Sequence, residues 1–142
     1  MSDTKASAAP LWQQLQAVAS ALAQVRRGVS GTVVLEDVPV ALRPGVQALL
    51  FQTLRQLGRA QALRALLASR TPAPLADALL CTALALAWDP ENAPYEPHTL
   101  VNQAVEAAKK TRNLQMQANF LNACLRRFLR EREALIQATN TD

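Results

Sequence analysis

Between Asn119 and Glu133 the chain reads NFLNACLRRFLRERE, with four arginines and two asparagines set among apolar residues. Guanidinium groups grip phosphate oxygens through paired hydrogen bonds, so these residue types suit contact with a nucleic-acid backbone. At about 100° of rotation per residue, Leu121, Cys124, Leu125, Leu135 and Ile136 gather around Phe128. Asn119, Asn122, Arg126 and Arg130 fall on the far side. Arg127 lies on one flank, and Arg132 lies near the apolar edge, where its stem can pack. Glu131 and Glu133 offset part of the charge. The plainer reading of such a stripe is a solvated back with intrahelical ion pairs. The sharper reading is phosphate contact by Asn122, Arg126, Arg127 and Arg130, extended by Lys109, Lys110 and Arg112 of the nearby KKTR run. Aromatic residues that could stack single-stranded bases are not interleaved with these cations, so RNA would be held mainly by its backbone.

Other chemistry has little to stand on. The chain has two cysteines, Cys81 and Cys124, and one histidine, His98. Neither cysteine sits in a CxxC pair, which argues against zinc. Both fall on apolar helical faces, where a reduced thiol acts as a small hydrophobe. His98 stands at a helix entry beside proline, without the partners of a Ser-His-Asp set. Asp89, Glu91 and Glu96 read as loop solvation rather than an acid–base pair. No glycine-rich phosphate loop and no dinucleotide fingerprint occur. No catalytic residue, metal ligand or cofactor-binding residue is expected in this chain.

The elements that must position these side chains are helical. Half of the 142 residues are hydrophobic, only 4% are aromatic, and four glycines punctuate the chain. Alanine and leucine dominate, and both favour helix. Leu11, Leu15, Val18, Leu22 and Val25 recur at helical spacing and predict a helix over Leu11–Val25. The stretch from Thr32 to Leu42 reads as a short helical turn or an extended connector, with Ser30 as a candidate cap. Pro44 opens a helix whose inward stripe is Val46, Leu49, Leu50, Thr53, Leu54 and Leu57, ended by Gly58 as a cap. Ala60–Ser69 follows, with Leu63, Leu66 and Leu67 inward. Leu75–Trp88 is apolar nearly all round, as a helix at the centre of a fold would be. Pro97 opens a helix with Leu100, Val101, Ala104, Val105 and Ala108 inward. Asn113 caps a last helix running to about Ala138. The expected fold is an all-α bundle of six or seven helices over residues 11–138, between a disordered tail at 1–10 and a short tail at 139–142.

Net charge is +4 and the isoelectric point is near 9.7. Placement matters more than the total. Residues 73–96 hold four acids and no base, whereas residues 97–132 hold seven bases and two acids. That asymmetry points to an anionic partner. The start, MSDTKASAAP, lacks the apolar centre of a signal peptide. The longest apolar run is too short to span a bilayer. A cytoplasmic location and no membrane partner are expected.

Two blocks carry a resemblance. One is HTLVNQAVEAAKK, through Pro97, His98, Val101, Asn102, Val105, Glu106, Ala108 and Lys109. The other is NFLNACLRRFLRERE, through Phe120, Asn122, Ala123, Leu125, Arg126, Arg127, Phe128, Leu129 and Arg130 to Glu133. Together they resemble the NusB-like domain found at the N-terminus of the RsmB (Sun/Fmu) family of 16S ribosomal RNA cytosine-C5 methyltransferases. A looser match runs through Arg43, Gln47, Phe51, Leu54 and Arg55. Gln103 and Gln52 depart from the family pattern, which has Glu and Gly there. The resemblance implies a NusB-like helical domain that docks 16S ribosomal RNA and packs on a catalytic domain absent from this chain. S-adenosylmethionine would bind that absent domain. Neither cysteine stands in the Pro-Cys motif of the family's catalytic part, since Cys81 follows Leu80 and Cys124 follows Ala123. Two other readings stay open: a free-standing NusB-type antitermination factor, and a protein–protein module without RNA.

Overall fold

The structure is a computed structural model and describes residues 9–89, 91 and 93–140. Residues 1–8 of the expected N-terminal tail, and residues 141–142, lie outside the described residues. Among the described residues eight α-helices follow one another: α1 Leu11–Arg26, α2 Gly31–Glu36, α3 Arg43–Arg55, α4 Leu57–Leu67, α5 Pro74–Ala87, α6 Pro97–Lys109, α7 Ala118–Arg130 and α8 Arg132–Thr139. A 3-10 turn, Gln115–Gln117, precedes α7. No strand occurs among the described residues. The bundle is all-α, as composition and periodicity require.

Helix α5 is the axis. Its twelve residues from Ala76 to Ala87 are all buried, and α1, α3, α4, α6 and α7 pack around it. The all-round apolar pattern demands this arrangement, because no face of α5 could meet water without exposing leucine. The amphipathic helices then turn one stripe each toward it. Helix α1 buries Leu15, Val18, Ala19, Ala21 and Leu22. Helix α6 buries Leu100, Val101, Ala104, Ala107 and Ala108.

Local chemistry sets the boundaries. Gly28 adopts φ +100° after α1, a conformation that suits a residue without Cβ. The Ser30 hydroxyl accepts the Val33 N–H at 3.2 Å, which resolves the Thr32–Leu42 ambiguity in favour of a short capped helix. Gln103 joins two helices. Its Oε1 accepts the free Trp12 N–H in the first turn of α1 at 2.9 Å, tying α6 to α1.

Three boundaries and one inward assignment differ from expectation. Gly58 does not cap α3, because α3 gives way to α4 across the single residue Gln56, and Gly58 sits in the first turn of α4. Leu66 is 42% exposed rather than inward, because the stripe of α4 is centred on Ala60 and Leu63. Asn113 does not start the last helix. The chain turns through Leu114 and the 3-10 turn before α7 begins at Ala118, and the long helix then breaks at Glu131 (φ −115°, ψ 27°) into α7 and α8. That break and the capped α2 divide the expected bundle into eight helical segments among the described residues.

Glu96 caps α6, its carboxylate accepting the Thr99 N–H at 2.9 Å. This hydrogen bond is the main cause that lowers the Glu96 pKa below its ordinary 4.5. A depressed carboxylate pKa stabilises the fold above the unfolded value, and the stabilisation is lost as pH falls through the folded one. Glu96→Ala is therefore expected to lower the thermal midpoint at pH 7. The gap from the parent should narrow as pH falls below 4.5 and close once the carboxyl is protonated in the folded state too, as read by melting curves across a pH series.

Candidate nucleic-acid interface

Helices α6 and α7 pack side by side, and their outer edges leave an open cleft of about 390 Å³. Asn102, Val105, Glu106 and Lys109 line it from α6, and Asn119, Asn122 and Arg126 from α7. Both sets follow i, i+3, i+7 spacing, so each is one ridge of its helix. The inner faces hold the ridges in place. On α7, Leu121, Cys124, Leu125 and Phe128 are buried, as the angular reading of the sequence requires.

Arg126 organises the cleft. Its Nη2 donates to Asn102 Oδ1 at 2.6 Å, and its Nε donates to Asn122 Oδ1 at 3.1 Å. A guanidinium has donors only, so both carboxamides must turn their oxygens to it. Their amide NH₂ groups are thereby left for another acceptor. With Asn119 and the exposed ammonium of Lys109, the cleft offers donors from five side chains. Its one carboxylate, Glu106, is paired with Lys110 at 3.4 Å. Such a surface suits an anion with several oxygens.

The seven residues expected at the site do not share one surface. Asn122, Arg126 and Lys109 meet in the cleft. Arg127 sits on the outer flank of α7 and pairs with Glu131 at 3.3 Å. Arg130 is exposed at the end of α7, next to the break. Lys110 and Arg112 line a different groove, between α1 and α5, so KKTR does not extend the α6–α7 surface as a block. Lys110 also stands over the Trp12 ring at 5.2 Å. Asn102 is the residue that the sequence reading passed over as a site. Arg132 plays the structural part its angle suggested. Its guanidinium lies 5.0 Å over the Phe128 ring and donates to the Trp88 carbonyl oxygen.

Cys81 and Cys124 are buried. Burial is the leading cause that raises both thiol pKa values, which keeps them protonated and poor nucleophiles. No group of three His, Cys, Asp or Glu among the described residues could hold a metal ion. No helix among them is long and apolar enough to cross a membrane. Fold and site together define an all-helical protein with a donor-rich cleft on two adjacent helices. Comparison with family models and with curated proteins finds no match for this chain.

Proposed function

We propose that this chain is a NusB-like, RNA-docking N-terminal domain of an S-adenosylmethionine-dependent 16S ribosomal RNA cytosine-C5 methyltransferase of the RsmB type, without catalysis of its own. One observation carries the RNA reading. Arg126 holds the oxygens of Asn102 and Asn122, so the α6–α7 cleft presents amide, guanidinium and ammonium donors together. A phosphate backbone supplies the acceptors that this set lacks. The motif resemblance lies on the same two helices, and Asn102, Lys109, Asn122 and Arg126 all belong to it. Cys81 and Cys124, buried and outside any Pro-Cys motif, take no catalytic part in this reading. S-adenosylmethionine and the cytosine would be handled by the catalytic domain, against which this domain would pack in the cytoplasm.

The test is a salt series. Anisotropy titrations of a 16S ribosomal RNA fragment should give a linear dependence of log affinity on log salt. The double variant Arg126→Ala, Arg130→Ala should bind more weakly, with a slope flatter by about one unit for each lost phosphate contact. Arg126→Lys keeps the charge but cannot hold both carboxamides. It should keep the slope and lose affinity. An unchanged slope in the double alanine variant would sink the assignment.

A further inference from the structure

Lys110 and Arg112 are cations that the RNA reading leaves unused. They stand at the rim of a second groove, concave and about 380 Å³ in volume, on the side of α6 away from the cleft. Its apolar floor is the half-buried Leu75 of α5, lying over the buried Leu79 of α5 and Leu114 of the turn after α6, and Ser20 of α1 also lines it. No acidic side chain lines it. The carboxylate nearest in sequence, Glu106, pairs with Lys110 but lines the other cleft. Arg112 is exposed and has no ion pair among the described residues.

An occupant must match both the apolar floor and the basic rim. A phosphate backbone has nothing apolar to set on the Leu75 side chain. A bilayer surface needs side chains that protrude into it, not a hollow. A polypeptide with a large apolar side chain between acidic neighbours satisfies both demands, and grooves of this size hold such groups. We infer that this groove docks a short acidic segment of a partner protein. One apolar side chain sits on Leu75, above the buried Leu79 and Leu114, and carboxylates meet Lys110 and Arg112. This surface is independent of the RNA cleft. The KKTR run thus serves two faces, Lys109 one and Lys110 with Arg112 the other.

The probe is the blocked peptide DELLDE, titrated into the full chain and followed by backbone amide shifts. A blocked KKLLKK peptide is the control. Saturable shifts at Ser20, Leu79 and Leu114 are expected with the acidic peptide alone. Arg112→Glu, an exposed change that leaves the core intact, should weaken binding about tenfold. Lys109→Glu should leave it unchanged. Absence of saturable shifts overturns the inference. So do shifts centred on Asn102 and Asn122, equal binding of the basic control, or a loss with Lys109→Glu as large as that with Arg112→Glu. None of these outcomes bears on the RNA salt series.

Discussion

Phe128→Ala is expected to cost about 3–5 kcal/mol of unfolding free energy. The ring is fully buried and is the largest side chain in the core to be so. Its removal takes away apolar contact and leaves a cavity under the last turn of α7, where Leu121, Cys124 and Leu125 cannot all collapse inward together. A second loss adds to the first. The Arg132 guanidinium stacks on this ring and bonds the Trp88 carbonyl, so the ring is also the seat on which α8 is anchored. Cation–π contacts contribute about 0.5–1 kcal/mol at partly exposed sites. In a chain of this length the sum should lower the melting temperature by roughly 12–20 °C. Leu129→Ala, next along the helix and only partly buried, should cost far less. Equal losses for the two variants in urea unfolding would mean that the face of α7 is misassigned.

That face was legible because it depends on one helix only. Periodicity places Phe128 opposite Asn119, Asn122 and Arg126 whatever α7 packs against. The centrality of α5 was legible for the same reason, since a helix apolar all round has one stable place. Boundaries were less so. Glycine announces a helix end only when the chain needs a positive φ there, and Gly58 does not adopt one. Glu131 breaks the last helix with no proline or glycine to mark it. The cause is tertiary: α8 leaves the line of α7 to lie against α4, and Arg132 secures it to the end of α5. No pattern local to residues 113–138 contains that information.

The site divides along the same line. Asn122 and Arg126 stand out on α7 because they recur on its polar stripe. Asn102 does not, because its role exists only once α6 is set beside α7. The splitting of KKTR was nevertheless readable. Adjacent helical residues point about 100° apart, so Lys109 and Lys110 cannot both follow one edge of α6. Charge counted by block concealed this. It likewise concealed Asp77, which the block from Ala73 to Glu96 includes as one acid among four, although it is turned inward.

Asp77→Ala should be the most costly change of a charged residue in the described chain. Asp77 lies in the first turn of α5 and is 6% exposed. Arg26 of α1 donates to its Oδ2 at 2.9 Å. Arg64 of α4 brings Nε to 2.9 Å from Oδ1, with the N–H turned off the oxygen, so this contact is an ion pair rather than a hydrogen bond. One carboxylate thus binds two helices to the central one. Removing it leaves two guanidinium groups facing each other, with side chains only 22% and 18% exposed. Breaking a buried pair from one side costs about 3–5 kcal/mol. The residual exposure of both arginines places this case near the lower end. Replacing the whole cluster should cost much less, because desolvation of all three charges disappears with them. Asp77→Leu in an Arg26→Met, Arg64→Met background is therefore expected to unfold within about 1 kcal/mol of the parent. The large coupling between the single and the combined changes is the signature, measured by urea unfolding of each variant. Additive effects would mean that water, not Asp77, balances the two arginines.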